Sequence, residues 1–578
     1  MFLPTTKEEL EKLNIKQLDI ILVSGDTYID SPYSGIAIIG NVLHSYGYKV
    51  GIIAQPDINS DDITRLGEPR LFWGVSAGLV DSMVANYTAN KKRRNNDDFT
   101  PNGINNRRPD RASIVYTGLI RRYFKNTVPI VLGGIEASLR RVAHYDFWGN
   151  NIRKSLLFDA KADILLYGMA EKTIIKLANS LNSSEDYRDL RGVCYISKEP
   201  KDGFIELDSY DDVKSDKIKF INSFHTYYKN SDPITAKGLM QKQDSRYLIQ
   251  NPPEFYLSEN EIDSVYDLHY ERDVHPFYKK QGFVRAMETI KYSITTHHGC
   301  YGECNFCAIS VHQGRTIRSR SEKSILKEVV SFTKDKNFKG IISDIGGATA
   351  NMYGFECDKK LKKGDCSDKK RCLGSDMCEV LKPNHKRQID LLREIRNIKG
   401  VKKVFVNSGI RYDLINEDKL YGQEYLKEIV THHVSGQMKI APEHSEEKIL
   451  SLMGKPNKKT LLEFKAKFDT LNKQLGKKQF LTYYMIAAHP GSSQEDMNKL
   501  KEFANKELKL SPEQVQIFTP TPSTYSTLMY YTGLNPWTYK PLFVEKDPLK
   551  KQKQKEIVVG KSNCNMKRYK KISNDINL

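Results

Sequence analysis

The segment Cys300-Tyr301-Gly302-Glu303-Cys304-Asn305-Phe306-Cys307 places three cysteines in one short stretch of chain. Thiolates this close in sequence can converge on one soft metal centre, such as an iron–sulfur cluster. A cubane cluster has about four irons, so one iron would lack a protein ligand from this segment. Because an open metal position is where a cofactor or substrate binds, the segment predicts a metal site with a chemical task.

Two other interpretations of the segment stay open at this point. A zinc site would add a fourth Cys or His at finger-like spacing, and His297 and His298 are close enough in sequence to serve. Three unrelated core cysteines would also give this pattern. The sequence that follows favours the cluster.

Length and cysteine usage bound the class of protein. The chain has 578 residues, enough for two or three domains. No run approaches the roughly 18 apolar residues of a membrane span, and residues 1–6 lack the pattern of a signal peptide. Seven of the nine cysteines lie between Cys300 and Cys378, which argues against a disulfide scaffold. We therefore expect a cytoplasmic protein with reduced thiols and no membrane partner.

The chain is strongly basic, with 90 Lys and Arg against 71 Asp and Glu and a formal net charge of +19. Such a field favours anionic partners, including RNA or a phosphorylated substrate. The excess is dispersed along the chain, however, and a Lys-rich composition explains it more simply than a binding surface does.

Five short apolar runs alternate with helix-like segments near the N-terminus. They are residues 18–24, 50–54, 71–76, 129–132 and 163–167. This alternation predicts an α/β fold with a parallel, doubly wound sheet, and we assign residues 1–181 to a Rossmann-like domain. Ligands on such sheets bind at the carboxyl ends of the strands, here at Asp26 and at residues 77–78, 133–134 and 168.

Six further runs predict a second α/β domain, a partial (β/α)6 barrel over residues 286–535. The runs are residues 292–295, 341–344, 404–409, 437–441, 481–487 and 515–518. Chemistry in such barrels gathers at the carboxyl ends of the strands. Residues 182–285 are predicted to form a mixed bridging region, residues 354–380 a Cys-rich insertion, and residues 536–578 a basic C-terminal tail.

Polar residues and glycines at these strand ends are the candidate site residues. Gly346 and Gly347 close the second barrel strand, where glycine lets a ligand approach the backbone. Arg320, in the basic stretch after the cysteine segment, is a candidate for holding a carboxylate or phosphate. Ser408 and Arg411 end the third strand and are further candidates for cofactor binding.

Glu443 and His444 end the fourth barrel strand. Their chemical types suit acid–base catalysis or the binding of a substrate. A polar strand end without a catalytic task would look the same in the sequence, so these two residues are weak catalytic candidates.

A second set of four cysteines, Cys357, Cys366, Cys372 and Cys378, lies in the Cys-rich insertion. Its spacing does not match a zinc finger, but four thiolates can hold an auxiliary iron–sulfur cluster or a structural zinc. A polar segment of this length would fold poorly without such a centre. Free thiols are the alternative.

The cysteine segment looks like the cluster loop of the radical S-adenosylmethionine (SAM) superfamily. The whole chain most resembles the YgiQ-type family of radical SAM proteins. The stretches that carry the resemblance are residues 25–56, 87–148, 300–321, 344–378, 441–444 and 487–491.

This resemblance implies that Cys300, Cys304 and Cys307 ligate a [4Fe–4S] cluster and that SAM binds the fourth iron. It also implies an external electron donor and backbone contacts from Gly346-Gly347 to the amino group of SAM. The family pattern continues with a Glu, and this chain has Ala348 instead.

The N-terminal domain resembles the cobalamin-binding domain found ahead of many radical SAM barrels. In the segment Asp26-Thr27-Tyr28, Tyr28 stands where the familiar cobalamin motif has a His, so an axial His ligand from this loop is excluded. Cobalamin is therefore a doubtful cofactor, and a domain that only shapes a substrate site is the favoured interpretation.

These observations predict a radical SAM enzyme that cleaves SAM to a 5′-deoxyadenosyl radical. Methyl or methylthio transfer to RNA or another anionic molecule is one outcome, and modification of a small metabolite or peptide is another. The alternative is a non-catalytic iron–sulfur protein that binds RNA or senses redox state.

Overall fold

The computed structural model describes residues 1–366 and 371–559. Its N-terminal part is built on a nine-stranded sheet. The strands are β1 (Ile20–Ser24), β2 (Val50–Ala54), β3 (Phe72–Ser76), β4 (Ile130–Gly133), β5 (Ile164–Leu166), β6 (Val193–Ser197), β7 (Ile205–Leu207), β8 (Leu239–Gln243) and β9 (Arg246–Gln250).

The strand order is β7-β8-β9-β6-β5-β4-β3-β1-β2. Strands β1 to β5 are all parallel, with Ile20 paired to Val50 on one side and Phe72 on the other. The order β2-β1-β3-β4-β5 is that of a flavodoxin-like doubly wound sheet, and it confirms the predicted Rossmann-like fold. The order reverses between β1 and β3, where ligands of such sheets bind.

Buried apolar side chains on both faces explain why these segments form parallel strands. Helix α1 (Gly35–Ser45) and helix α3 (Glu171–Asn182) cover the face that carries Leu22 and Val131. Helix α2 (Ala112–Tyr123) covers the opposite face together with the first turns of chain after β4.

Residues 182–285 do more than bridge two domains. They supply β6 to β9, which extend the N-terminal sheet through antiparallel pairs of β5 with β6 and of β6 with β9. Helix α4 (Lys217–Lys229) and the segment Asp273–Val274, which pairs with Ile29–Asp30, tie the rest of this region to the same domain. The region therefore belongs structurally to the N-terminal sheet.

The second half of the chain forms the predicted open barrel of parallel strands. These are β10 (Ser293–Thr295), β11 (Ile341–Ile342), β12 (Asp344–Gly346), β13 (Lys403–Val404), β14 (Gln437–Glu443), β15 (Phe480–Ala487) and β16 (Val515–Ile517). A one-residue break separates β11 from β12, which share the second strand position. Parallel pairing connects neighbouring positions, and a bridge between Ile410 and Ile440 joins the third to the fourth.

Helices cover the outside of the barrel and bury their apolar sides against it. They are α5 (Glu322–Thr333), α6 (Lys386–Asn397), α7 (Gly422–Glu428), α8 (Lys458–Gln474) and α9 (Gln494–Phe503). Helix α10 (Tyr525–Thr532) instead places Tyr525, Leu528 and Tyr530 in the apolar core of the N-terminal sheet. Short helices in chain order are Lys7–Lys12, Ser82–Asn86, Gly134–Leu139, Leu156–Ala160, Tyr210–Ser215, Glu259–Tyr266, Pro276–Lys279, Met287–Ile290, Ile309–Gln313, Asp358–Lys363, Tyr412–Glu417 and Glu447–Met453.

The predicted basic tail begins with a packed element. Helix α11 (Pro548–Val559) lies against α9 and β16. Lys551 and Gln554 are buried in it, because Lys551 donates to the Ala89 carbonyl and Gln554 bonds to Ala488 and Ser492. The prediction of a basic C-terminal tail is wrong for residues 548–559, which form this packed helix, and residues 560–578 lie outside the described part of the chain.

The described helices also bear on the predicted absence of a membrane segment. Among residues 1–366 and 371–559, no helix combines the length and the apolar character that crossing a bilayer would need.

Candidate functional site

The three cysteines of residues 300–307 line one cavity of about 160 Å³ at the mouth of the barrel. The loop follows the short strand His297–His298, which pairs with Arg318–Ser319. The Cys300 thiol lies 3.4 Å from the Thr349 hydroxyl and accepts from the Gly302 N–H at 3.3 Å. The loop thus presents its thiols toward the strand ends of the barrel.

Backbone contacts hold this loop, which we call the cluster loop, on three sides. Cys300 N–H donates to the Gly314 carbonyl, and Asn305 N–H donates to the Met453 carbonyl at 2.9 Å. The Asn305 carbonyl accepts from Ser526 N–H, at the start of α10. The conformation of the loop is therefore fixed by contacts with the surrounding barrel as well as by its own sequence.

A buried arginine stands beside the thiols. Arg411 Nη1 lies 3.7 Å from Cys304 Sγ, and its guanidinium makes a two-bond ion pair with Asp413, at 2.9 Å and 2.5 Å. Asn351 fixes the Arg411 backbone through two hydrogen bonds. Because the side chain is 8% exposed, this cation would offset negative charge at close range once the thiols lose their protons.

A second charged pair lines the same cavity. Glu443 lies 3.8 Å from Lys455, and both are buried. The backbone of Glu443 has φ = 70°, a conformation that costs free energy in a residue with a side chain. His444 is buried beside it but does not line the cavity, and its Nδ1 accepts from Glu446 N–H. The structure therefore separates the two predicted catalytic candidates.

Burial shifts the pKa values of the side chains that line this cavity. It raises the pKa of the Cys300 thiol and raises the pKa of Cys307 to about 12, so a bound metal would have to displace these protons. Burial also raises the pKa of Glu443, which Lys455 opposes. The pKa of Asp413 is lowered, because Arg411 outweighs the burial that opposes its ionisation.

The donor set suits a soft metal centre. Three thiols face one cavity, and a side chain at Gly302 would stand 3.2 Å from Cys300 Sγ and 3.6 Å from Cys304 Sγ. As the side chains stand, no three Cys, His or carboxylate groups of residues 1–366 and 371–559 form a closed ligand shell. Each thiol can turn about its Cα–Cβ bond, and the residues present fit a group that takes three thiolates.

The remaining sequence-predicted cofactor residues fall into two groups. Gly347 and Ser408 line a second, larger cavity, and Gly346 lies just beneath them. Arg320 lies in neither cavity. Its guanidinium donates to the Thr295 carbonyl and to Ser324 and forms an ion pair with Glu328, so it connects β10 to α5. The arginine that reaches the cluster loop is Arg411.

The second cavity, of about 470 Å³, lies between the N-terminal sheet and the barrel, and we call it the interdomain cavity. It opens at the β1/β3 switch point, beside Ser24 and Ser76, and is bordered by Gly78, Gly134 and Gly168. A side chain at Gly134 would stand 2.6 Å from the Ser76 hydroxyl. The glycines therefore keep room for a ligand at the strand ends.

Part of the interdomain cavity is an apolar slot between the sheet and helices α1 and α3. Leu22, Gly74 and Val131 form its sheet side, and Ile39 and Ile174 form its helix side. The barrel side includes His297, which follows β10, and Asp344, the first residue of β12. Sequence reasoning could not find this cavity, because each half of it comes from a different domain.

The polar groups around this cavity are mostly neutral. Burial lowers the pKa of His297 to about 3 and those of His298 and His312 to about 4, so all three imidazoles are uncharged at neutral pH. Burial raises the pKa of Glu171, at the start of α3. Two polar atoms, His297 Nε2 and Glu171 Oε2, have no hydrogen-bond partner, although both residues line the cavity.

Asp26, predicted as a ligand-edge residue, is held by another side chain. Arg108 lies 2.6 Å from Asp26 and 3.0 Å from Asp97, and all three are buried. This arginine comes from the long connection after β3, which folds back onto the strand ends. Asp26 is therefore compensated before any ligand arrives.

The two cavities meet at Ile309 and Ala348, which line both. The helix Ile309–Gln313 packs on Gly134–Leu139, where His312 Nδ1 lies 2.9 Å from the Ser138 hydroxyl. A ligand in the interdomain cavity would therefore lie directly beside one bound at the cluster loop.

Several residues that shape the site were not predicted from sequence. They are Thr349, Asn351, Asp413, Glu171 and His312, whereas His297 and His298 were considered only as zinc ligands. The pair Arg411 and Asp413 carried the clearest signal, since opposite charges two residues apart at a strand end are an evident ion pair. The other contacts join segments far apart in the chain.

A six-position parallel barrel with three thiols at the mouth of its first strand is the arrangement of a radical SAM protein. Residues 2–293 match the family model described as radical SAM N-terminal. The chain is 60% identical to a UPF0313 protein of Fusobacterium nucleatum, over 97% of this chain and 99% of that protein. It is 50% identical to a UPF0313 protein of Thermotoga maritima, over 98% of this chain and 100% of the relative. The chain therefore belongs to the UPF0313 family, the YgiQ-type family of radical SAM proteins.

The fold is shared with a solved structure of the radical SAM methyltransferase TsrM from Kitasatospora setae, with cobalamin and a [4Fe–4S] cluster bound. The TM-score is 0.51 at 13% identity, covering 88% of this chain and 74% of TsrM. This similarity confirms the order of a Rossmann-like domain and a barrel.

Proposed function

We propose that Cys300, Cys304 and Cys307 hold a [4Fe–4S] cluster and that the enzyme binds and reductively cleaves SAM in the cluster cavity. The observation that carries this proposal is that the three thiols share one cavity with two buried ion pairs. When bound, the cluster supplies the electron that breaks a carbon–sulfur bond of SAM.

In this proposal the residues that line the cluster cavity bind and orient the cluster and SAM. Arg411, fixed by Asp413, compensates the charge of the thiolates. Glu443 and Lys455 present opposite charges in the same cavity, which suits the ammonium and carboxylate ends of an amino acid such as SAM. Glu443 would take the part of the acidic residue that the sequence lacks at Ala348.

Anaerobic reconstitution with iron, sulfide, a reductant and SAM tests this proposal. We expect 5′-deoxyadenosine to form, and Cys304→Ala to abolish its formation. Cys194→Ala is the matched control, because Cys194 is buried in β6 away from both cavities and should leave the yield unchanged. If the spectrum of the reconstituted cluster does not change when SAM is added, the non-catalytic redox-sensing alternative is favoured.

We further propose that the interdomain cavity holds a corrinoid and that the reaction is a methyl transfer. Support comes from the position of the cavity at the switch point, its apolar slot under α1 and α3, and its contact with the cluster cavity at Ala348. TsrM, which shares the fold, is a methyltransferase solved with cobalamin. The corrinoid, when bound, would supply a carrier for a methyl group.

The residues present suit such a group in part. The strand-end glycines leave room for a flat ring, and the neutral imidazoles and the buried Glu171 offer hydrogen bonds to its amides. Tyr28 is buried, and its hydroxyl oxygen accepts a hydrogen bond from the Leu3 N–H at 3.2 Å, so it supplies no metal ligand to this cavity. The corrinoid would therefore bind without an axial His from this loop.

Titration with hydroxocobalamin, followed by absorbance, tests the second proposal. Ile39→Trp fills the apolar slot and should weaken binding at least about tenfold, the equivalent of one lost buried contact. Tyr46→Trp is the control, because Tyr46 is 65% exposed at the end of α1. If hydroxocobalamin does not bind to the wild-type protein, the corrinoid proposal is wrong and the interdomain cavity is assigned to the substrate.

The partners and location are proposals as well. The +19 charge supports an anionic substrate such as RNA, and the eight described cysteines are free thiols, which suits the reducing cytoplasm and an external electron donor. Salt-sensitive co-purification of RNA would support the first point, and protein free of nucleic acid at low salt would contradict it.

A further inference from the structure

The Cys-rich insertion packs directly behind the cluster loop. Tyr301, the residue after Cys300, accepts a hydrogen bond from the Cys357 N–H at 2.8 Å. Its ring belongs to a buried cluster that contains Cys357 and Cys372, and against which Cys300 and Cys378 pack. This buried cluster therefore contacts cysteines of both sets.

Two cysteines of the insertion, Cys357 and Cys372, belong to this buried cluster, and Cys378 packs against it. Cys357 and Cys372 are 8% and 7% exposed, and Cys378 N–H donates to the Cys372 carbonyl at 3.0 Å. Cys366 follows Asp365, whose carboxylate lies 3.4 Å from the buried Lys360 of the same insertion. All four are free thiols, so none is consumed by a disulfide.

We propose that Cys357, Cys366, Cys372 and Cys378 are the ligands of a second, thiolate-held metal centre. Four thiolates complete the shell of either a tetrahedral zinc or a cubane cluster, so this centre would be closed, unlike the three-thiol cluster loop. The inference stands apart from the proposed function, since it concerns other ligands and needs no SAM.

The composition of the insertion argues for a metal. Its one helix among the described residues is Asp358–Lys363, which carries four lysines. Its buried apolar side chains are few, chiefly Phe355 and Leu373, with Leu381 just after its end. Segments with so small a core usually need a metal or a disulfide to fold. Cys357 and Cys372 are part of that small core, and Cys378 lies against it.

The second centre would also fix the cluster loop. Glu303, between the first two ligands of the loop, is buried and lies 3.5 Å from Lys360 of the insertion and from Arg315. Arg371, next to Cys372, donates to the Glu303 carbonyl at 2.7 Å and also binds Asn305. Ordering of the insertion by a metal would therefore hold the cluster loop in place through Glu303 and Asn305.

Metal analysis of the full-length triple variant Cys300→Ala, Cys304→Ala, Cys307→Ala isolates the second centre. Purified without oxygen, it should retain either about four irons with about four sulfides, or about one zinc, per chain. A further variant that also carries Cys357→Ala, Cys366→Ala, Cys372→Ala and Cys378→Ala is the baseline. Equal metal contents in the two variants, before and after reconstitution, would overturn the proposal.

Thiol labelling of the wild-type protein covers the case in which the baseline variant misfolds. Under native conditions the four insertion cysteines should react slowly with a maleimide, and removal of metal by a strong chelator should accelerate their labelling at least tenfold. Cys194, buried in β6, serves as the internal control and should not change. Fast labelling of all four cysteines before chelation would show that they hold no metal.

Discussion

The cluster cavity and the interdomain cavity share a wall but differ in charge and size. The cluster cavity, of about 160 Å³, is lined by thiols and by the ion pairs of Arg411 with Asp413 and Glu443 with Lys455. The interdomain cavity, of about 470 Å³, is lined by glycines, aliphatic side chains and neutral imidazoles. The first suits a small charged ligand, and the second suits a larger, mostly uncharged one.

This difference in charge and size indicates how two ligands could bind side by side at the mouth of one barrel. Charges that are paired inside the cluster cavity cost little to bury and give a charged ligand partners of both signs. Two carboxylates that line the interdomain cavity are held by protein groups: Arg108 compensates Asp26, and Asp344 accepts from the N–H groups of Asn407 and Ser408. If this contrast governs function, changes to charge should act on the first cavity and changes to protonation or shape on the second.

The largest effect is expected from Arg411→Met. The change leaves Asp413 as an uncompensated buried anion, which should lower the free energy of unfolding by about 3–5 kcal/mol. It also removes the cation 3.7 Å from Cys304, so cluster content should fall. Urea unfolding and iron analysis of the purified variant measure the two effects.

The double variant Arg411→Met, Asp413→Leu separates stability from function. It removes both charges, so most of the lost stability should return, while cluster content should stay low. Recovery of a full cluster in the double variant would show that Arg411 serves only to pair Asp413.

Acidification should act on the interdomain cavity. His297, His298 and His312 have folded-state pKa values of about 3 to 4, below the ordinary 6.5, because burial disfavours the charged form. Their contribution to stability is complete above pH 6.5 and is lost as the pH falls toward 4. For each histidine, the free energy of unfolding should fall by on the order of 3 kcal/mol between pH 6.5 and pH 4.

Unfolding measured between pH 7.5 and 5 checks this slope. His312→Gln should flatten it, because the amide cannot take up a proton. The control is His269→Gln, since His269 lies on the surface with a 72% exposed side chain. An unchanged slope in His312→Gln would place the sensitive groups elsewhere.

Removal of one charge from the cluster cavity should have a moderate effect. Glu443→Gln keeps the shape of the side chain and removes its charge, so the KM for SAM should rise by about 10- to 100-fold, the value of a charged hydrogen bond. Because burial raises the pKa of Glu443, the wild-type enzyme should lose SAM affinity on the acid side, as the carboxylate takes up its proton. Steady-state kinetics across pH measure both effects, and an unaltered KM would remove Glu443 from the SAM site.

The sequence predicted those parts of the fold in which local pattern and burial agree. The parallel strands β1 to β5 are continuous apolar runs, and each was found near its predicted position. Strands β8 and β9 were missed because their sequences, Leu239–Gln243 and Arg246–Gln250, mix polar and apolar residues without a clear period. Helix α11 was missed for a related reason, since its buried residues include Lys551 and Gln554.

The cluster loop could be predicted because its three cysteines are neighbours in the chain. The pairs around it could not, since Glu443 with Lys455 and His312 with Ser138 join residues whose contact depends on how the elements pack. Arg320 shows the converse error. Its place after the loop suggested a ligand contact, but the side chain turns to Glu328 on α5.

The smallest effect is expected from Ser138→Ala, which changes the contact between the two domains. The Ser138 hydroxyl lies 2.9 Å from His312 Nδ1 and accepts from the Gly168 N–H at 3.0 Å. Its loss leaves these two groups without a partner, at a cost of about 1–2 kcal/mol in the free energy of unfolding. Ligand affinity in the interdomain cavity should fall several-fold, because His312 and Gly168 both line it.

Ser113→Ala is the matched control, because the Ser113 hydroxyl is equally buried and has no hydrogen-bond partner in the described structure. It should leave stability and ligand binding unchanged. SAM cleavage without added corrinoid should stay near the wild-type rate in both variants, since neither residue lines the cluster cavity. Loss of SAM cleavage in Ser138→Ala alone would show that the two cavities are coupled through the helix Ile309–Gln313, and the contrast between them would then be one of shape and not of function.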